Sequence, residues 1–311
     1  MKLAALLLLA LVVSACGSGP TGPSASVPSG AAVAGTVTAT NGGQALGGLS
    51  VDLGGQLATT NAAGAFTYAQ VAGASARLTL TGAGIVPRSL TRALGGPLAV
   101  DAIALGAGFD LGFYRQFVRN TFDAPGGMEP LRRWTTNPNV YVQTVDDAGA
   151  SVDAKNLDTA EIAIRETAGI WSAGKLAIAS VERGPGTKAG VPGWITVQWR
   201  AAAVTGRCGQ ADVGLSGGTV DLFYKAAGSC QCGGTIRPRT VRHELGHAFG
   251  YWHTDNPADL MFASAPAAQC DALPSARELA HAAIAYARPV GNTDPDQDPT
   301  SAISLAPMTA R

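Results

Sequence analysis

Eleven consecutive residues concentrate the groups of this chain that could do metal chemistry: His243-Glu244-Leu245-Gly246-His247-Ala248-Phe249-Gly250-Tyr251-Trp252-His253. Three of the four histidines fall within them. His243 and His247 are four apart, so a helix stacks them on one face, where two imidazoles can grip one ion. His253 lies six residues past His247. It is off that row and reaches the same ion only if the chain turns sharply after the helix. Gly250 stands where the turn must come, and glycine adopts positive φ there without steric cost. Three neutral imidazoles leave one position of a tetrahedral zinc ion open, the pattern of a catalytic site; structural sites are closed and usually rich in thiolate. Glu244, beside the first ligand, faces the side on which a water would lie, the place of a general base. On the opposite face Val241, Leu245, Ala248, Phe249 and Trp252 recur at helical spacing and predict packing into a core.

Met261 follows in His253-Thr254-Asp255-Asn256-Pro257-Ala258-Asp259-Leu260-Met261-Phe262. The extended histidine pattern and the methionine after it resemble the metzincin metallopeptidases. The short gap and the Asp259-Leu260-Met261 run look most like the matrixin branch. The resemblance implies that His243, His247 and His253 bind one catalytic zinc, that Glu244 is the general base, and that Met261 lies in a turn beneath the metal. It further implies a zinc endopeptidase acting on a protein or peptide substrate. Some branches add a tyrosine ligand two residues after the methionine; Ala263 occupies that position here, so none is expected. The pocket wall for a substrate side chain is expected along Phe262-Ala263-Ser264-Ala265-Pro266. Arg207-Cys208-Gly209 resembles the inhibitory cysteine motif of matrixin pro-segments, but it lies inside the domain and is discounted. The matching stretch is short, so the wider fold rests on the layout of elements.

That layout is a strand over Val140–Val145 and a helix opened by Asp158-Thr159-Ala160-Glu161 that runs to about Trp171. Strands near Leu176–Val181 and Trp194–Trp199 follow, then the histidine helix. Ser275-Ala276-Arg277-Glu278 is a capping box and starts a last helix ending before Pro289. The order fits a twisted sheet backed by helices, over residues 108–290. His281 in the last helix is read as a surface or packing residue, not a ligand. Asp294, Asp296 and Asp298 alternate in the tail and hint at structural Ca2+, but the loop glycine and closing glutamate of a calcium loop are missing. Residues 291–311 are therefore assigned to a disordered acidic tail.

Ahead of this domain, residues 31–107 alternate apolar and polar in short runs, among them Val33–Val37, Leu49–Leu53, Ala65–Tyr68 and Arg77–Thr81, with turn residues between them. Period two at this spacing predicts a small β-sandwich. Thr59-Thr60-Asn61-Ala62-Ala63-Gly64-Ala65-Phe66 resembles the signature of carboxypeptidase regulatory-like domains, which implies a transthyretin-like sandwich without catalytic groups. The fold class is thus multidomain: an all-β sandwich, then an α+β metzincin-like domain.

Residues 1–15 read as an export signal, with Lys2 before the apolar run Leu3–Val13. Val13-Ser14-Ala15-Cys16 resembles a bacterial lipoprotein cleavage box, which implies lipidation of Cys16 and membrane attachment to the cell envelope; an ordinary secretory signal is the alternative. Residues 16–30 suit a flexible tether. Cys208, Cys230, Cys232 and Cys270 remain, an even number that suggests two disulfides with three possible pairings. The favoured one joins Cys208 to Cys230 and Cys232 to Cys270, and a tetrathiolate zinc site competes with it. A net charge of zero and a pI near 6.9 give no basic field for nucleic acid. A monomer is expected. The competing function is a non-catalytic adhesin that binds protein or glycan, against which the intact Glu244 speaks.

Overall fold

The computed structural model describes residues 30–106, 108–202, 204, 206–226, 230–264 and 269–310. The export signal and Cys16 lie outside the described residues, as does the tether up to residue 29. The described residues form four β-sheets and four α-helices.

The first seven strands are β1 (Ala31–Ala39), β2 (Ser50–Leu53), β3 (Gln56–Thr59), β4 (Ala65–Val71), β5 (Ser75–Thr81), β6 (Arg88–Ala93) and β7 (Leu98–Ala102). They make a three-stranded sheet, β4-β1-β7, and a four-stranded sheet, β3-β2-β5-β6. Alternation along each strand sends every second side chain inward. Val33 and Val37, Val51 and Leu53, Phe66 and Tyr68, and Leu78 and Leu80 accordingly meet in one core between the sheets.

The remainder runs α1 (Leu111–Arg119), β8 (Asn139–Asp146), α2 (Ala154–Trp171), β9 (Ser180–Gly184), β10 (Trp194–Trp199), β11 (Gly209–Asp212) and β12 (Thr219–Leu222). A small hairpin, β13 (Gln231–Cys232) and β14 (Thr235–Ile236), leads into α3 (Pro238–Ala248), α4 (Ala276–Ala285) and β15 (Thr309–Ala310). Six strands form one sheet in the order β15-β11-β12-β10-β8-β9. β12, β10, β8 and β9 run parallel, and β11 and β15 close one side antiparallel. α3 lies against β11, β12 and α2, above a second core that includes Trp171, Trp199, Val197 and Phe117.

Three expectations need correction. α2 begins before Asp158, because Asp153 is the N-cap and its carboxylate accepts the Asn156 N–H at 2.9 Å. Asp158 sits inside the helix and pairs with Arg183. The next strand begins at Ser180 rather than Leu176, because the Leu176 N–H is taken by the Ser172 hydroxyl in the turn that ends α2. The tail expected to be disordered is instead packed. Asn292 and Asp296 are buried, the Ser89 and Asp298 N–H groups bond across β6 and the tail, and β15 pairs with β11.

Paired charge is the physical reason. Asp294 meets Arg115 at 2.8 Å, Asp296 meets Arg288 at 2.7 Å, and Asp298 meets Arg88 at 3.1 Å. Arg288 and Arg88 also share Asp101 of β7, so the tail clamps the sandwich to the second unit through buried guanidinium groups. The acidic residues are not a solvated run but the counter-charges of that clamp. All six of their carboxylate oxygens accept a hydrogen bond from an arginine or from Asn292. These three aspartates therefore keep no unclaimed oxygen for the Ca2+ at which their alternation hinted.

Candidate metal centre

α3 starts with Pro238 at its first position, where the missing N–H costs nothing. From Arg239 onward it is buried on all sides. Trp171 of α2 donates its indole N–H to the Arg242 carbonyl at 3.1 Å. Gly246 lies between the first two histidines and lets the Met261 sulfur and the Trp171 ring approach directly; a Cβ there would stand 2.5 Å from that sulfur. The carbonyls left open at the helix end find side-chain donors: the Trp134 indole reaches Ala248 O at 2.8 Å and the Tyr286 hydroxyl reaches Phe249 O at 3.1 Å.

The turn that follows is specified by glycine. Gly250 has φ of 110°. A Cβ at this position would also overlap the Arg132 carbonyl oxygen, so any side chain is excluded twice over. Past the turn, the Trp252 N–H donates to Phe117 O of α1 at 2.8 Å, which fixes the backbone that delivers His253.

The three histidines converge. They are 1–7% exposed, and one ring nitrogen from each lies within 4.8 Å of the others. His243 Nδ1 is 2.7 Å from Leu260 O, and His247 Nδ1 is 2.8 Å from Tyr251 O. A carbonyl can only accept, so both Nδ1 atoms carry the proton and both Nε2 lone pairs are free. His253 Nδ1 lies 3.0 and 3.1 Å from the two Asp123 oxygens, which assigns the same tautomer. Burial pushes His243 down to about 3, with the charge of His253 adding to it. Burial, then His253 and His243, hold His247 well below its ordinary value. Imidazoles with Nδ1 engaged and Nε2 unclaimed are the donor set that zinc takes.

Glu244 points into the same cavity, about 380 Å³ in volume. Among the described residues its carboxylate accepts no hydrogen bond. Its carboxyl carbon packs so closely on Gly209 of β11 that a Cβ there would overlap it. Burial raises its pKa well above the usual value; nearby Asp221 adds to the rise and Arg207 opposes it. Met261 is fully buried, and the N–H groups of the turn around it are taken up by one carboxylate. Glu278 accepts the N–H groups of Leu260 at 2.9 Å and Met261 at 2.8 Å. It closes the capping box of α4 with the same carboxylate.

Two disulfides frame the site. Cys208 is bonded to Cys230 and Cys232 to Cys270, with Cα separations of 5.0 and 5.6 Å. The second ties the approach to α3 to the segment after Met261, and no tetrathiolate site forms. Cys208 lines the cavity beside Arg207, but its sulfur is spent on the disulfide. Phe262, Ala263 and Ser264 line the cavity, while Ala265 and Pro266 lie outside the described residues. His281 is a packing residue: its Nε2 accepts the Asp110 N–H at 2.9 Å and its Nδ1 donates to Arg277 O at 2.7 Å. Sequence reading missed Asp123 and the second task of Glu278. The capping box could have pointed to Glu278; nothing local points to Asp123.

No family model matches this sequence, and no curated protein matches it. Among solved structures, metalloproteinase-II from Bacteroides fragilis is similar over 69% of this chain and 77% of that one, with 12% identity and a TM-score of 0.35. A chain of a type II cohesin–X-dockerin complex from Acetivibrio cellulolyticus is similar over 24% of this chain, with 19% identity and a TM-score of 0.20. The match spans only 56% of that chain. At these values neither likeness assigns a fold or an activity here.

Proposed function

We propose that the chain is a zinc endopeptidase similar to the matrixin branch of the metzincins. One observation carries the reading: three buried imidazoles have Nδ1 committed to fixed acceptors and Nε2 free, beside a carboxylate with no structural partner. When bound there, zinc supplies Lewis acidity toward a water and a peptide carbonyl. The rest is the work of the chain. His243, His247 and His253 would hold the ion through Nε2. Leu260 O, Tyr251 O and Asp123 orient the rings. Glu244 takes a proton from the attacking water and passes it to the leaving amine nitrogen. An adhesin would have no use for a buried carboxylate left without a partner.

The test is Glu244→Gln. The variant is expected to keep one zinc per chain by elemental analysis and to lose about a thousandfold or more in casein cleavage. Equal cleavage by variant and parent would remove Glu244 from the mechanism. Release of no fragments by the zinc-loaded parent, from casein or any peptide library, would leave the adhesin standing.

The two disulfides fit an oxidising compartment. No helix among the described residues is long and apolar enough to cross a membrane. Attachment through lipid on Cys16, a monomeric state and a spacer role for the sandwich belong to the same proposal. Mass spectrometry of the exported protein would detect the acyl chains.

A further inference from the structure

We infer that the cavity beside Glu244 selects a carboxylate on its substrate, and that Arg239 is the residue that reads it. This rests on the peptidase reading above.

Arg239 is 2% exposed and lines the cavity. Its guanidinium makes only long bonds to neutral acceptors: Nε to the Gln269 side-chain oxygen at 3.3 Å, and Nη2 to the carbonyls of Asp259 and Leu260 at 3.3 and 3.5 Å. Four other buried arginines are treated differently. Arg88, Arg132, Arg242 and Arg288 each face a carboxylate. Arg119 has none, but it is away from the cavity and is held by Asn292 and the Tyr114 ring. The acid whose charge acts on Arg239 is Glu278, which forms no ion pair with it and whose carboxylate is occupied by three backbone N–H groups. A buried guanidinium without an ion-pair partner is costly, and burial pulls its pKa down.

A second cation lines the same cavity. Arg207 donates to the Gln210 side chain at 3.2 Å and has no carboxylate partner among the described residues. The cavity thus carries two guanidinium groups, and its one acid, Glu244, is reserved for proton transfer. That imbalance of charge favours an anion from outside. In a peptide, the anion is an Asp or Glu side chain near the scissile bond or the C-terminal carboxylate.

The experiment uses the full zinc-loaded chain carrying Glu244→Gln, so that binding is read without turnover. Fluorescent decapeptides carry one Glu walked along a neutral sequence, matched by Gln at the same place, with free and amidated C-termini. Anisotropy is expected to show one Glu position bound about tenfold or more tighter than its Gln partner. Loss of binding on amidation alone would instead assign the carboxylate to the chain terminus, still read by Arg239. Adding Arg239→Gln is expected to bring the ratio to about one, and Arg239→Lys to lower it part-way. If Arg239→Gln does not fold, the Lys variant decides. Equal binding of all peptides, or a ratio unchanged in every folded Arg239 variant, overturns the inference. Fragments from the parent enzyme with no acid preference would do so while sparing the peptidase reading. Acid-selective binding with no fragments from any peptide would support the pocket and overturn the peptidase reading instead.

Discussion

Two stretches of this chain gather three potential metal ligands each, and they end in opposite states. In 243–253 each histidine engages one ring nitrogen in a hydrogen bond and leaves the other free toward a common point. In 294–298 every carboxylate oxygen is claimed, by Arg115, Arg288, Arg88 or Asn292. Both sets are of metal-ligand type and closely spaced; what differs is who owns the lone pairs. Side chains of ligand type make a site only when the fold satisfies their other valences and leaves one unclaimed.

The comparison breaks most sharply at Asp296. Its two oxygens hold Arg288, which is fully buried. Asp296→Ala leaves that guanidinium with Asp101 alone and is expected to cost about 3 kcal/mol or more in denaturant unfolding. Zinc content should not change. A loss below about 1 kcal/mol would mean that the tail charges are solvated after all, as their composition suggests.

What the sequence could reveal follows the same division. The histidine motif was legible because its spacing is the helical period plus one glycine turn, all within eleven residues. The sandwich strands were legible because one buried face imposes period two. The tail was misread because its partners lie far off: Arg88 is 210 residues from Asp298. Nothing near residue 298 announces that an arginine will be waiting. Asp123 was invisible for the same reason, 130 residues from His253. The start of α2 was missed more locally, since Asp153 and Asp158 both look like caps and only the backbone geometry chooses between them.

Asp123 gives the next largest effect and sharpens the comparison from the other side. It follows α1 in a turn closed by the Ala124 N–H on Asn120 O at 3.0 Å. There its carboxylate fixes the tautomer of His253. It is 38% exposed, so its removal should spare the fold. Asp123→Ala is expected to weaken zinc binding about 10- to 100-fold in a chelator competition, with the unfolding midpoint of the metal-free chain unchanged. Unaltered zinc affinity would show that the backbone alone orients His253.

The smallest expected effect is none, and it is the most discriminating. An ion that binds only the native chain raises stability by RT ln(1 + [L]/Kd). Extracellular calcium sites bind as weakly as about 10⁻³ M, so calcium at ten times that level would add about 1.4 kcal/mol if the aspartates held it. That gain would move the thermal midpoint by a few degrees. The chain stripped by chelator should show such a rise with zinc and no movement with calcium. The carboxylates of Asp294, Asp296 and Asp298 would have to release their arginines first, and Arg288 is fully buried. A calcium-dependent rise that vanishes in Asp298→Asn would reverse the assignment, since an ion strong enough to displace a buried guanidinium would make the tail a metal site in its own right.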